Sequence, residues 1–201
     1  MDEGYVKFQS QLHESFPPSD GELEEIYSWR DKLYRLKYIG AYENGIGYGN
    51  ISIRSRFTKE FIISGTSTGG ISTLMSDHFT RVSGYNLEKN QVVCNGKVHA
   101  SSESMTHAAV YDCDPAIKAV IHIHSKKYWD ILKYQLPTSN PAAKYGTPEM
   151  AQEIIHLYQH SAFKKTGVMV MGGHEEGMIS FGTTLAEAGN RLLAIIAKHS
   201  S

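Results

Sequence analysis

Apolar side chains recur at helical spacing between Leu23 and Leu33, after a polar segment that contains two adjacent prolines. Either Ser19 or Asp20 stands before this run and can accept a hydrogen bond from the free amides of a first helical turn. Gly40 follows the last apolar position, and glycine commonly ends a helix. The pattern therefore predicts a first helix that begins after residue 19 or 20 and ends at residue 40.

Short apolar or alternating runs that lie between glycines follow this helix, and such runs predict strands. In residues 90–100, the Asn95-Gly96 dipeptide predicts the turn of a hairpin. The predicted strands cover residues 45–56, 59–70, 90–100, 119–125, 167–173 and 177–182. Further helices are predicted over residues 101–114, 147–163 and 184–200. Residues 126–146 show no regular pattern.

Strands and helices interleave along the chain, and this order is typical of the α/β class. The frequent hairpins favour a mixed or largely antiparallel sheet. A length of 201 residues suits one domain with a substantial core and is short for two. We therefore predict a single α/β domain over residues 1–201.

The composition excludes several classes of protein. The chain has 20 Lys+Arg against 21 Asp+Glu, so no basic excess indicates nucleic-acid binding, and 41% hydrophobic residues argue against disorder. No run approaches the roughly 20 apolar residues that cross a bilayer, and the N-terminal segment is too polar for a secretory signal. Cys94 and Cys113 lack the CxxC spacing of a structural zinc site. We expect a cytoplasmic protein without membrane or nucleic-acid partners.

The stretch VIHIHS, residues 120–125, places two imidazoles one residue apart in an apolar strand. Alternate side chains of a strand share a face, so His122 and His124 lie on one face with Cβ atoms about 6 to 7 Å apart. His174 stands where another apolar strand ends in a Gly-Gly turn. Three histidines that leave an open position are typical of a catalytic zinc site, whereas core histidines bonded to the backbone are the alternative. His107 fits either an additional ligand or a structural role.

The segment ASSES, residues 100–104, precedes a predicted helix and has two interpretations. Ser101 or Ser102 can cap the helix, and Glu103 in its first turn suits the positive end of the helix dipole. Alternatively, this helix start lies in the mouth of an active site. Its hydroxyls and free amides would then bind an anion, and Glu103 would act as a general base.

The glycine-rich segment SGTSTGG, residues 64–70, follows a predicted strand and can wrap a phosphate with amides and hydroxyls. Asn50 in YGNIS is open to the same two interpretations. Both segments are also compatible with ordinary turns, and no lysine completes a Walker loop. His156 and His160 have i,i+4 spacing, but no glutamate makes an HExxH motif and both fall on the polar side of their predicted helix.

The order of six short motifs resembles that of the class II aldolase/adducin family, whose best-known enzyme is L-fuculose-phosphate aldolase. The motifs are GNISIR, IISGTSTGG, SSES, AVIHIHS, YGTPEMAQEI and GGHEEG. The resemblance covers residues 45–193. It implies a three-layer α/β/α sandwich with a central mixed, largely antiparallel sheet, commonly assembled as a homotetramer with the site between subunits.

The resemblance also implies roles for individual residues. His122, His124 and His174 match the family's metal ligands. Glu103 matches its general acid/base. The positions that hold the substrate phosphate are matched by Asn50, Thr68, Gly69, Ser101 and Ser102. The implied cofactor is one divalent ion, zinc first, with manganese or cobalt as alternatives.

The activity that the resemblance implies is cleavage of a ketose 1-phosphate to dihydroxyacetone phosphate and an aldehyde, through a metal-bound enediolate. Epimerisation, dehydration or decarboxylation at the same kind of site is the second interpretation. A non-catalytic binding module like an adducin head is the third.

The chain departs from the family pattern at two places near these residues. Gly47 replaces a threonine, which removes one hydroxyl from the expected anion pocket. Glu175 and Glu176 follow the third histidine where glycine is usual. Two carboxylates there would repel an anionic substrate or supply another ligand or base. The candidate tyrosines for a proton donor are Tyr128, Tyr134 and Tyr145.

Overall fold

The computed structural model describes residues 6–55 and 57–200. The helices of this part of the chain are α1 Asp20–Arg35, α2 Ser104–Cys113, α3 Lys126–Leu132, α4 Pro148–His160, α5 Phe163–Thr166 and α6 Leu185–Lys198. The first five strands are β1 Gln9–Glu14, β2 Gly40–Ala41, β3 Gly47–Tyr48, β4 Asn50–Arg54 and β5 Phe61–Ser64. The other strands are β6 Phe79–Asn86, β7 Gln91–Gly96, β8 Ala119–His124, β9 Val168–Val170 and β10 Gly177–Gly182.

Eight strands form one central sheet in the order β1-β7-β6-β5-β4-β8-β10-β9, and β2 pairs with β3 in a separate hairpin. Strands β1 and β7 run parallel. Every other neighbouring pair in the large sheet is antiparallel. The prediction of a mixed, largely antiparallel sheet is therefore confirmed.

Two hydrophobic clusters cover the two faces of the sheet. Val120 of β8 packs in one cluster with Met105 of α2 and Ile154 of α4. Its neighbour Ile121 packs in the other cluster, which contains residues of α1, α3 and α6. Because a strand between two helical layers is buried on both faces, β8 is buried at every position and is apolar except at His122 and His124. The architecture is the predicted three-layer α/β/α sandwich.

The prediction of a hairpin turn at Asn95-Gly96 is wrong. Both residues lie inside β7, where they pair with Arg81 and Thr80 of β6. On its other side, β7 pairs with β1. The turn joins β6 to β7 before Gln91 instead. Glycine at position 96 allows β7 to pack closely against Thr80 of β6, since a Cβ there would lie 2.8 Å from Thr80 Oγ1.

Several predicted boundaries also shift. Helix α1 ends at Arg35, because Lys37 adopts a left-handed φ of 60° and so ends the helix before Gly40. The segment 126–146, which shows no pattern in the sequence, begins with helix α3. Strands β1, β2 and β6 are absent from the sequence prediction; β1 lies at an edge of the sheet, and its residues are half-buried or exposed.

Candidate metal centre and anion pocket

Three buried histidines meet at one end of the central strands. His122 and His124 project from the face of β8 that also carries Val120, and His174 lies in the turn between β9 and β10. The Nε2 atoms are 3.1 Å apart for His122 and His124, 3.0 Å for His124 and His174, and 3.3 Å for His174 and His122. In the described ranges, these residues are the one group of three potential metal ligands.

The pairing of β8 with β10 explains why the rings can converge. Gly177 of β10 lies opposite His124 in the antiparallel register. A Cβ at this glycine would stand 2.5 Å from Cδ2 of His174 and 3.1 Å from Cε1 of His122. The missing side chain therefore leaves the space that two of the three imidazoles occupy.

The spacing and ionisation of the cluster fit a divalent metal. A tetrahedral zinc ion with Zn–N bonds of 2.0 to 2.1 Å requires ligand nitrogens about 3.3 Å apart, close to the separations seen here. Burial lowers the pKa of His122 to about 4. Burial, reinforced by neighbouring imidazoles, also holds the pKa values of His124 and His174 well below the usual histidine range. All three rings are therefore neutral at pH 7, which is the form that binds metal.

Hydrogen bonds at the Nδ1 atoms assign the tautomers of two rings. His122 Nδ1 lies 3.1 Å from the carbonyl oxygen of Met178, which accepts, so this nitrogen carries the proton. Tyr42 donates its hydroxyl proton to Glu176 Oε2 at 2.8 Å. Its oxygen therefore accepts from His124 Nδ1, also at 2.8 Å. In both rings the lone pair of Nε2 points toward the centre of the cluster.

Glu103 brings a carboxylate to the edge of this cluster. Its Oε1 lies 3.4 Å from His174 Nε2, and its side chain is buried. The expected serine cap is not formed as predicted, because α2 begins at Ser104 and Glu103 itself occupies the N-cap position. Ser101 lies one turn earlier, where its hydroxyl accepts from the Glu103 amide and its carbonyl from the Ser104 amide.

A pocket lies beside Glu103, and all five residues that were expected to hold a phosphate line it. Its lining residues are Gly47, Tyr48, Gly49, Asn50, Gly65, Thr66, Ser67, Thr68, Gly69, Ser101 and Ser102. Each of these residues is neutral. Amides and hydroxyls, rather than cationic side chains, are therefore the groups that this pocket offers to a ligand.

A buried arginine organises the loop on one side of the pocket. The Arg30 guanidinium donates to the carbonyl oxygens of Ser72 and Gly69 at 2.9 Å and of Thr68 at 3.3 Å. Arg30 is 1% exposed. These hydrogen bonds fix the backbone of the loop that lines the pocket. Arg30 thus places a positive charge behind an otherwise neutral anion pocket.

The packing around Gly47 explains why this position lacks the threonine of the family pattern. A Cβ at Gly47 would lie 3.1 Å from the backbone nitrogen of Gly69. A Cβ at Gly69 would in turn lie 2.4 Å from the carbonyl oxygen of Gly40. The two segments cross closely here, so a side chain is excluded at Gly69, and one at Gly47 would require the Gly69 backbone to move by a few tenths of an ångström.

The two glutamates after His174 have separate environments. Glu175 is mostly exposed and forms an ion pair with Lys126, with Oε1 3.1 Å from Nζ. Glu176 contacts Tyr42 and approaches the Nδ1 side of His124, away from the Nε2 cluster. The structure therefore directs neither carboxylate to the place where a metal would bind.

The candidate tyrosines are also separated by the fold. The Tyr145 ring lies 4.5 Å from the His174 ring. Tyr128 instead bonds Ser200 and packs in the cluster on the opposite face of the sheet. Tyr134 is 73% exposed. Of these three residues, Tyr145 is the one beside the metal centre.

The remaining histidines of interest lie outside the centre. His107 is buried and its Nδ1 lies 2.7 Å from Ser52 Oγ, which is also 2.7 Å from the Tyr111 hydroxyl. This network supports its structural interpretation. The rings of His156 and His160 are 4.8 Å apart on the exposed side of α4, as expected for a solvated face.

The sequence provided no sign of three residues that complete the site. Tyr42 bonds His124, the Tyr48 ring stacks on the His124 ring at 5.4 Å, and Arg30 holds the pocket loop. The tyrosines occur in a glycine-rich stretch without periodicity, and Arg30 lies on an otherwise ordinary amphipathic helix. The sequence alone does not show that Arg30 is buried, so it gives no reason to assign this residue to the site.

Similarity to known proteins identifies the family. The model of the Class II Aldolase and Adducin N-terminal domain matches residues 41–197. The chain belongs to this family. The resemblance noted in the sequence is confirmed, and since class II aldolases use a divalent metal, the histidine triad is where this chain could hold one.

Solved structures with the same fold share little sequence with this class II aldolase/adducin chain. YgbL from Klebsiella pneumoniae, described as a candidate aldolase/epimerase/decarboxylase, is 20% identical, with 89% of this chain and 86% of that chain covered and a TM-score of 0.63. An L-fuculose 1-phosphate aldolase is 18% identical, with 92% and 90% covered and a TM-score of 0.65. A sugar-phosphate aldolase from Thermotoga maritima is 15% identical, with 87% and 90% covered and a TM-score of 0.57.

No curated protein sequence matches the chain significantly. Within residues 6–55 and 57–200, no helix has the length and apolar character needed to cross a bilayer.

Proposed function

We propose that this protein is a metal-dependent aldolase-like lyase that cleaves a small ketose 1-phosphate to dihydroxyacetone phosphate and an aldehyde. The observation that carries the proposal is the adjacency of the anion pocket and the histidine cluster. Ser101 and Ser102 line the pocket, and the next residue, Glu103, contacts His174. On the sheet, Asn50 of the pocket pairs with His122. One small phosphorylated molecule can therefore reach both groups.

His122, His124 and His174 would hold the metal, and the pocket would bind the phosphate through backbone amides and hydroxyls. A divalent cation bound to these rings supplies Lewis-acid polarisation of substrate oxygens and stabilises negative charge that develops as a carbon–carbon bond breaks. Anchoring the phosphate holds the reacting bond in a fixed position relative to the cluster, which lowers the entropic part of the barrier.

Glu103 would move the proton that the reaction requires at carbon. Cleavage releases a hydroxyl proton as the aldehyde forms, and the remaining three-carbon fragment gains a proton at the carbon that lost its bond. Glu103 directly follows the pocket residues Ser101 and Ser102, and its buried carboxyl group contacts His174, so it is placed to deliver or remove that proton. We assign it the role of general acid/base.

Family membership supports a sugar-phosphate-like substrate, and the resemblance supports zinc, a homotetramer and a cytoplasmic location as parts of the proposal. Epimerisation or decarboxylation is the second candidate, because the description of the similarly folded YgbL includes both. Product analysis separates these reactions, since cleavage alone yields an aldehyde and a three-carbon phosphate.

The first test is metal content. We expect about one divalent ion per wild-type chain by elemental mass spectrometry and none in His124→Ala. The metal-loaded protein should then release dihydroxyacetone phosphate from a member of a ketose 1-phosphate panel, detected by coupled reduction. Glu103→Gln should keep the metal and lose turnover.

Two outcomes would overturn the proposal. A wild-type protein that stays metal-free after incubation with zinc, manganese and cobalt would favour a binding module. A metal-loaded protein that converts its substrate without forming an aldehyde would favour the second candidate.

A further inference from the structure

We propose that Tyr42 and Glu176 are positioning residues that fix His124 as a metal ligand and join the wall of the anion pocket to the metal centre. The inference rests on the proposed function, because it assigns a task to residues around the same centre. We call these two residues the Tyr42–Glu176 pair.

The pair reaches His124 through a chain of two hydrogen bonds. Glu176 Oε2 accepts from the Tyr42 hydroxyl at 2.8 Å, and the hydroxyl oxygen lies 2.8 Å from His124 Nδ1. The direct distance from Glu176 Oε2 to His124 Nδ1 is 3.8 Å, so the tyrosine mediates the contact. A metal-binding histidine commonly donates its second N–H to a carboxylate, which fixes the ring and its tautomer. Here a tyrosine stands between the two.

Aromatic packing adds to this restraint on the His124 ring. The Tyr48 ring stacks on it with centroids 5.4 Å apart and an interplanar angle of 25°. The Tyr42 ring approaches both, with its centroid 4.7 Å from that of Tyr48 and 6.2 Å from that of His124. The ring of this ligand is therefore held both at its edge and on its face.

The backbone at Glu176 shows that the carboxylate is retained at a cost. Its φ is 70°, in the left-handed region that glycine adopts without strain. The Glu176 carbonyl accepts from the Ser125 amide at 2.9 Å, which any residue could do. What glutamate adds over glycine at this position is its carboxylate, and that group contacts Tyr42.

The pair also links two parts of the site. Tyr42 lies in the turn between β2 and β3, where its amide donates to the Ile46 carbonyl at 2.9 Å. The end of this hairpin, Gly47 and Tyr48, lines the anion pocket. A bond from Tyr42 to the segment after His174 therefore aligns the pocket wall with the metal ligands.

Glu175 provides a matched control on the adjacent position. It carries the same charge but is exposed and paired with Lys126 rather than Tyr42. Replacing either glutamate by alanine removes one negative charge near the centre, whereas only Glu176→Ala also removes the acceptor of the Tyr42 hydroxyl.

The experiment measures zinc affinity by competition with a chromophoric chelator, in the absence of substrate. The proteins are the wild type, Tyr42→Phe, Glu176→Ala, the double variant and Glu175→Ala. We expect Tyr42→Phe and Glu176→Ala each to weaken zinc binding roughly 10- to 100-fold. The double variant should lose little more than either single variant, because both break one chain of bonds. Glu175→Ala should change affinity less than about twofold.

Glu176→Gly separates positioning from a general structural role. It relieves the left-handed strain, so its thermal unfolding midpoint should equal or exceed that of the wild type. Its zinc affinity should nevertheless fall as far as that of Glu176→Ala. A structural role alone would make both quantities fall together.

Unchanged zinc affinity in Tyr42→Phe and Glu176→Ala, with a wild type that binds zinc, would overturn the role of the pair and leave the proposed function standing. An equal loss in Glu175→Ala would also overturn it, because net charge would then explain the effect. A wild type that binds none of zinc, manganese and cobalt would overturn both proposals.

Discussion

Arg30 offers a sensitive test of how the anion pocket is built, through the substitution Arg30→Met. The side chain is buried and its guanidinium donates to the carbonyl oxygens of Thr68, Gly69 and Ser72. Methionine keeps much of the apolar stem but donates no hydrogen bond. The substitution therefore leaves the loop without its three anchors and removes the positive charge behind the pocket.

The expected magnitudes follow from these contacts. Hydrogen bonds from a charged donor contribute about 1.5 to 3 kcal/mol each, but burial of the guanidinium opposes them and lowers the pKa of Arg30. We expect a net loss of about 2 to 4 kcal/mol in the free energy of unfolding. A positive charge behind a bound anion, at an effective dielectric constant of about 20, contributes on the order of 1 to 2 kcal/mol. Phosphate should therefore bind roughly 5- to 30-fold more weakly.

Urea unfolding measures the first quantity, and calorimetric titration with inorganic phosphate measures the second. Arg35→Met is the matched control, because Arg35 is exposed on the same helix and carries the same charge. Arg30→Lys keeps the charge but lacks the planar set of donors, so it should recover part of the phosphate affinity and little of the stability. Wild-type phosphate affinity in a folded Arg30→Met protein would refute this account of the pocket.

Three further predictions concern the metal centre and the central strand. Gly177→Ala should displace the His174 ring and weaken zinc binding at least tenfold in the chelator competition, because its Cβ would lie 2.5 Å from that ring; unchanged affinity would contradict this. The metal-free protein should lose stability as the pH falls from about 6.5 to 4, since the pKa of His122 is about 4 when folded and near 6.5 when unfolded. Between these pH values the unfolded chain binds a proton at His122 and the folded chain does not, which lowers the free energy of unfolding by an amount on the order of 3 kcal/mol. A urea midpoint that rises as the pH falls over that range would disprove this prediction. Ile121→Ala should cost about 2 to 5 kcal/mol in urea unfolding, because Ile121 is fully buried; a loss below about 1 kcal/mol would argue against the packing.

Local patterns were sufficient for several elements. Helix α4 begins as predicted, with the Thr147 side chain accepting from the Met150 amide and Pro148 in the first turn. The Thr184 side chain caps α6 in the same way, accepting from the Glu187 amide. Capping and periodicity depend on neighbours within about four residues, so they are visible without the fold.

The wrong prediction of a turn at Asn95-Gly96 shows that local sequence patterns do not determine every element. This dipeptide favours a tight turn, but strand pairing on both sides keeps it extended within β7. The first helix likewise ends at Arg35, before the glycine that marks its predicted end. Pairing partners distant in sequence decided the first case, and a left-handed Lys37 decided the second.

The alternation in β8 was enough to place His122 and His124 on one face, because the two-residue period of a strand is a property of the chain itself. Convergence with His174 required the register of β8 against β10, which sets Gly177 beside the rings. The contact from Tyr42 to Glu176 joins residues 134 positions apart. Sequence periodicity relates only residues that are near one another in the chain. The contacts of Tyr42 and Glu176 with the metal centre therefore become visible only when the sheet and its hairpins pack together.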